Sequence, residues 1–268
     1  MKKSFNCKRF WNYFKYDLVQ MWRNNGKAVL VIGGLGLIMY VVHVLGSLIF
    51  APHIWEAPSI GLRFAIFQCA LIALYLFQAR SYGHLTEKRA GSSWLMIPVS
   101  AGEKVLSMLL ITLVVMPLGF LVVHLGIDAL LALMDPTCND SLIADGIGAL
   151  AKSSHVQVNL TDSEKAAVVV PAILCLPLSM FCGLTYFLLG GLIFKKWKIT
   201  GSLAVLFGIM LVLLFTLGLV TQDDAYWTSD SSEVTMIRNL LWYSVGALTL
   251  VWVALMGGVY RRITNLKH

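Results

Sequence analysis

Six long apolar runs, almost free of charged residues, dominate this sequence of 268 residues. A helix needs about 20 mainly apolar residues to cross a hydrocarbon core of roughly 30 Å. Five runs reach that length, and the second has 16 residues with Arg63 and Arg80 at its ends, where both side chains are expected to snorkel outward. The runs are 28–55, 64–79, 105–127, 166–194, 199–222 and 239–260. This pattern predicts an all-α polytopic membrane protein with six transmembrane helices.

Charged residues are distributed unequally between the two sides of these spans. The segments 1–27, 80–104, 195–198 and 261–268 contain 17 of the 21 Lys and Arg residues but only three of the 14 acids. By the positive-inside rule, both termini are predicted to be cytoplasmic, in the inner (plasma) membrane of a cell. Because the basic residues lie next to the spans, we expect membrane lipid, and no nucleic acid, as their partner.

The predicted organisation is a single six-span transmembrane domain, 1–268. The spans are placed near 28–50, 61–80, 104–134, 166–194, 199–220 and 239–260, with an interfacial helix at 5–23, a cytoplasmic loop at 81–103 and an outer loop at 135–165. Five glycines are predicted to permit close helix contacts, namely Gly33, Gly34, Gly36, Gly190 and Gly191. Pro117, Pro171 and Pro177 are expected to kink their helices.

The N-terminal segment has the pattern of an amphipathic helix that lies in the membrane interface. One arc of this helix holds Phe10, Trp11, Phe14, Leu18, Met21 and Trp22, and the opposite arc holds Lys8, Asn12, Lys15, Tyr16, Gln20 and Arg23. Asn24, Asn25 and Gly26 are expected to break the helix before the first span. A membrane anchor and a partner-binding element are equally good interpretations of it.

The 81–103 loop combines a short helical pattern with a helix start signal. Residues 84–90 predict a short helix that Gly91 ends. Ser100 and Glu103 form a capping box, so the third span is expected to begin near Ala101. A loop of this kind is typical of a docking element.

No nucleotide-binding G-x-x-x-x-G-K-[ST] loop occurs in the sequence, nor does H-E-x-x-H or G-x-S-x-G, so we expect neither catalysis nor a cofactor. Cys175 and Cys182 are too few for a metal site. His124 and Asp128, four residues apart on one helix, are predicted to form a hydrogen-bonded polar pair at the outer rim. A substrate or proton site at this pair is the alternative.

The loop before the third span carries a family likeness. It contains Leu85-Thr86-Glu87-Lys88-Arg89 and, further on, Leu95-Met96-Ile97-Pro98-Val99-Ser100-Ala101-Gly102-Glu103-Lys104. With the six-span topology, this resembles the membrane (permease) subunit of type-2 ATP-binding-cassette (ABC-2 type) exporters. In that family an acidic residue and a glycine precede a leucine, then Pro-x-Ser and Glu-Lys open the third helix. The residue-level likeness covers about 20 positions.

The resemblance implies a permease that exports a substrate and binds a separate cytoplasmic ATP-binding-cassette ATPase. It also implies a second permease copy, as a homodimer, or a related permease. The coupling helix that meets the ATPase would include His84, Leu85, Glu87, Lys88 and Arg89. One departure is the 221–238 loop, which is acidic here and apolar in many family members.

Two other functions remain open from the sequence. A non-transporting membrane scaffold or assembly protein would use the same loop to hold a cytoplasmic partner. An intramembrane enzyme acting through His124 and Asp128 is the weakest alternative.

Overall fold

The computed structural model describes residues 5–50, 57–86, 94, 96–135, 138, 141–144, 162–220 and 233–265. Throughout these residues the regular structure is helical, without a strand, so the predicted all-α class is confirmed. The helices are α1 (Cys7–Gly33), α2 (Leu35–Phe50), α3 (Ile60–Ser81), α4 (Ala101–Leu110), α5 (Met116–Met134), α6 (Asp162–Ile193), α7 (Lys198–Val220) and α8 (Glu233–Thr264). A 3₁₀ turn covers Gly83–Thr86, and a π-helical turn, Ile111–Val115, joins α4 to α5.

Four helical segments are long and apolar enough to cross a membrane. They are Ile60–Ser81, Ala101–Met134, Val169–Ile193 and Arg238–Thr264. Helices α1 and α2 meet the same test as a pair bent by 43°, which gives up to five spans. These lengths are consistent with a multi-pass membrane protein, while the sixth span and the orientation stay predictions.

Helix α1 does not break where the sequence predicted. It begins after Asn6, whose side-chain oxygen accepts the backbone N–H groups of Lys8 and Arg9 at 3.1 and 3.3 Å, and it continues through 24–26 to Gly33. The bend lies at Gly34 instead. The predicted break is wrong because tertiary packing outweighs weak helix propensity there: Met21 and Val29, on either side of 24–26, pack against Ile111 and Met116.

Unit 1, one of two compact units, comprises Met1–Phe77 and Leu106–Val158. Its core joins α1 to the π-helical turn and the start of α5 through Met21, Val29, Ile111 and Met116. The Ser107 hydroxyl donates to Asp17 at 2.7 Å beside this core. The predicted apolar arc of α1 is therefore divided: Phe10 and Met21 are buried, whereas Trp11 and Trp22 are 53% and 57% exposed.

Unit 2 comprises Gln78–Val105 and Asn159–His268. Helices α6 and α8 pack against each other more extensively than any other described pair. The predicted close contacts at Gly190 and Gly191 are confirmed, because a Cβ on either would overlap a neighbour, Ser202 for Gly190 and the Ala79 carbonyl for Gly191. Within unit 2, the backbone at Ala79 in the last turn of α3 thus touches α6 directly.

The π-helical turn Ile111–Val115 directly precedes Met116 and Pro117. Proline cannot donate the backbone hydrogen bond that an α-helix needs at this position, and its ring crowds the preceding turn. A single π turn is one way in which a helix accommodates such an interruption. The π-helical turn therefore lies within one turn of Pro117, while the kink stays a prediction.

Candidate functional site

A buried ion pair connects α3 to α5 inside unit 1. The Nε and Nη2 groups of Arg63 donate to Oδ1 of Asp128 at 2.8 and 2.6 Å, and both side chains are only 9% exposed. The expectation that Arg63 snorkels outward is wrong, because the Asp128 carboxylate satisfies the guanidinium inside the protein. Ionisable groups within membrane-spanning helices are rare and are by default candidates for function.

Two carboxylates also fix the chain that follows α5. The second oxygen of Asp128 accepts the backbone N–H of Leu142 at 2.8 Å. The Tyr40 hydroxyl of α2 donates to Asp135 Oδ2 at 2.6 Å. These bonds belong to the polar cluster, which we define as Tyr40, Arg63, His124, Asp128 and Asp135. The cluster joins α2, α3 and α5 to Asp135 and Leu142.

His124 belongs to the cluster but does not pair with Asp128. Its Nδ1 lies 3.1 Å from the Gly33 carbonyl oxygen, which can only accept, so Nδ1 carries the proton. The imidazole is flanked by the rings of Phe67 and Phe120, with centroids 5.4 and 5.5 Å away. The hydrogen bond predicted between His124 and Asp128 is thus replaced by a separate partner for each residue.

A small cavity of about 20 Å³ lies among these groups, with room for about one water molecule. Tyr40, Arg63, His124, Asp128 and Cys138 line it together with Gly36, Pro58, Ile66 and Leu131. Burial raises the pKa of the Cys138 thiol, Arg63 opposes that shift, and Asp128 and Asp135 add to it. The thiol therefore stays protonated near neutral pH.

The 3₁₀ turn Gly83–Thr86 is the described part of the predicted coupling helix. The Thr86 hydroxyl donates to the Gly83 carbonyl at 2.8 Å, and Leu85 is 1% exposed. Leu85 therefore anchors the turn within unit 2. The backbone of His84 lies in the turn, whereas Glu87, Lys88 and Arg89 lie outside the described residues.

The capping box before α4 is confirmed. The Ser100 N–H donates to Glu103 Oε2 at 2.9 Å, and the Glu103 N–H donates to Ser100 Oγ at 3.3 Å. Helix α4 begins at Ala101, as predicted. Lys104 extends this motif, since its Nζ donates to the Trp94 carbonyl at 2.8 Å and lies 4.5 Å from the centre of the Trp94 ring.

The 3₁₀ turn also lies against the start of α7. A Cβ at Gly83 would be 2.8 Å from Cδ of Lys198, so the lysine stem covers the glycine. One turn earlier, Ala79 meets Gly191 of α6 without a side chain between the two backbones. The segment 79–86 is therefore fixed to α6 and α7 at two adjacent points.

Sequence reasoning missed the Arg63–Asp128 pair. Its signal was present: one arginine at the start of a span and one aspartate near the end of the next span, both on the predicted outer side. Within the described parts of the chain, no three His, Cys, Asp or Glu side chains come together as a metal site. No protein family, curated protein or solved structure matches the chain.

Proposed function

We propose that this chain is the permease subunit of an ATP-driven exporter of the ABC-2 type. It would couple ATP hydrolysis by a separate cytoplasmic ATPase to substrate movement, without a nucleotide or catalytic site of its own. Six spans with both termini in the cytoplasm belong to this proposal, as does a homodimer or a pair with a related permease.

The direct contact between Ala79 and Gly191 is the observation that carries the proposal. A docking segment can drive a helix bundle only if displacement of the segment displaces the bundle. Because close-packed interiors are hard to compress, a backbone contact without an intervening side chain transmits displacement with little slack. The Gly83–Lys198 contact adds a second point of transmission, to α7.

The C-terminal end of the 81–103 loop is fixed as well. Lys104 holds Trp94 through a hydrogen bond and a ring contact, and the capping box fixes the first turn of α4. A partner that pushes on the residues between Thr86 and Trp94 would therefore act on α6 and on α4. This arrangement suits a coupling loop better than a simple linker.

The apolar surface of α2 is available for contact with lipid or with a second permease. None of its 16 residues is buried. In a bilayer, such a helix faces lipid or a second copy of the chain. The proposal therefore places membrane lipid and the second permease copy against exposed apolar helix surfaces such as that of α2.

The test is to purify the chain from its native membrane with its partners, and then to reconstitute the complex in vesicles. The proposal requires a co-purifying ATPase whose turnover drives substrate efflux. A scaffold would retain the partner but show no ATP-dependent efflux. Recovery without any ATPase, under conditions that preserve membrane complexes, would overturn the proposal.

Glu87→Lys sharpens this test. Charge reversal in the coupling loop is expected to abolish stimulation of the ATPase while the permease still folds. Asp140→Lys provides a matched control, because it makes the same change in charge in the loop predicted to lie on the opposite side of the membrane. Unchanged stimulation in Glu87→Lys would remove Glu87 from the docking surface.

A further inference from the structure

Two helix ends in unit 2 carry the same side-chain chemistry. Lys195, Lys196 and Trp197 follow the end of α6, and Tyr260, Arg261 and Arg262 lie in the last turns of α8. Trp197 is 70% exposed and Tyr260 is 52% exposed, and Lys195, Lys196 and Arg261 are also exposed. Each end thus presents an aromatic side chain next to two cations.

The structure brings these two ends together. Arg262 Nε donates to the Leu192 carbonyl at 3.0 Å, which joins the end of α8 to the last turn of α6. One turn earlier, Gly258 lies against Leu189, where a Cβ would be 3.1 Å from Cδ2. We call Lys195, Lys196, Arg261 and Arg262 the basic rim of unit 2.

In the described part of unit 2, no acidic side chain neutralises the positive charge of the basic rim. Glu103 is the acid whose side chain is described there, and it is fully buried in the capping box. The two terminal nitrogens of Arg262 bond no other described residue. Several uncompensated cations on one rim favour an anionic partner.

The surroundings of the rim favour lipid over protein as that partner. Ile193, two residues before Lys195, is 48% exposed on a helix apolar enough to cross a membrane. The cations therefore begin where an apolar surface suited to lipid tails ends. Tryptophan and tyrosine are enriched at this depth, where an indole or phenol meets both tails and headgroups.

We infer that the basic rim binds the phosphate headgroup of an anionic phospholipid, with Trp197 and Tyr260 at the boundary with the acyl chains. Basic pockets between helices on the cytoplasmic side of membrane proteins bind such headgroups. The site does not depend on export or on an ATPase, so it is testable on the purified chain alone.

The test measures the Tm of the full chain in neutral detergent, with added dioleoylphosphatidylglycerol or dioleoylphosphatidylcholine. The wild type is expected to gain stability from phosphatidylglycerol only. Lys195→Gln, Lys196→Gln and Arg261→Gln together should raise the lipid concentration needed for half the shift about 100-fold, since each cation contributes about fivefold. Arg262 is left unchanged because it also joins α8 to α6.

A matched control removes the same charges elsewhere. Lys152, Lys165 and Arg238 lie in segments predicted on the opposite side of the membrane, and their triple Gln variant should keep the wild-type shift. The conservative variant Lys195→Arg, Lys196→Arg and Arg261→Lys should also keep it, which separates charge from folding defects.

Three outcomes would overturn the inference. Equal loss of the shift in both Gln variants would indicate attraction by net charge alone. An equal shift with phosphatidylcholine would remove the need for an anion. An equal shift with soluble polyglutamate or inorganic phosphate would identify the rim as a general anion or acidic-protein surface.

Discussion

Asp128, on α5, bonds both to α3 and to the chain that follows α5. One of its oxygens binds the Arg63 guanidinium and the other binds the Leu142 backbone N–H. Taking both charges out of water carries a large desolvation cost, which their attraction and hydrogen bonds must offset. The pair is therefore sensitive to loss of one partner and much less sensitive to loss of both.

Removing one charge should destabilise the protein more than removing the pair. Arg63→Met leaves Asp128 buried without its counter-charge and should cost about 3–5 kcal/mol of unfolding free energy. The double variant Arg63→Met with Asp128→Leu should recover most of that loss. Thermal unfolding in one detergent measures the stability of the single and double variants. A double variant whose loss of stability equals the sum of the two single losses would contradict the interpretation of Arg63 and Asp128 as a buried ion pair.

The raised pKa of Cys138 predicts slow alkylation at neutral pH. Because the thiolate is the reactive form, the rate should increase only as the pH rises toward the raised pKa. The exposed Cys7, in a variant that retains no other cysteine, is the reference. A maleimide rate profile from pH 6 to pH 10 that matches that of Cys7 would show that Cys138 is not shielded.

At the scale of elements, local signals in the sequence predicted local structure. Ser100 and Glu103 are three residues apart, and their capping box placed the start of α4 correctly. The course of α1 was not predictable from Asn24, Asn25 and Gly26, because Met21 and Val29 are held by Ile111 and Met116, far along the chain. Arg63 was misplaced for the same reason, since its partner lies 65 residues away.

Gly191→Ala should test the contact proposed to transmit displacement from the loop. The added Cβ would overlap the Ala79 carbonyl, a backbone atom that cannot move aside alone. We expect a loss of about 1–3 kcal/mol of unfolding free energy and a weaker coupling of ATP hydrolysis to transport.

Gly257→Ala is the control for this substitution. Nothing lies within 4 Å of a Cβ at Gly257 of α8, so the change should improve helix propensity without a clash. Thermal unfolding and ATP-dependent efflux in vesicles compare the two variants. Wild-type coupling in Gly191→Ala would exclude the Ala79 contact as the route of transmission.

At the scale of the whole molecule, the distribution of charge and the length of the apolar helices determine how the chain can lie in a membrane. Four to five helices are long enough to span a bilayer, and 17 of the 21 Lys and Arg residues lie in segments assigned to one side. Moving these cations across the hydrocarbon core is unfavourable during insertion, so their distribution selects the orientation. Lys198–Leu211 of α7 is apolar, and the proposed six-span topology counts α7 (Lys198–Val220) as a span.

Single-cysteine labelling resolves both the span count and the orientation. With an impermeant maleimide on intact cells, Cys7 and a His268→Cys variant should stay unlabelled, whereas Asp140→Cys should react. All three should react after permeabilisation. Six spans place both ends of the chain on the same side, so labelling of His268→Cys but not of Cys7 would require an odd number of spans. Labelling of both ends in intact cells would instead show that the orientation is the reverse of the predicted one. The basic rim and the 81–103 loop would then lie outside the cytoplasm, which would exclude a cytoplasmic ATPase as the partner.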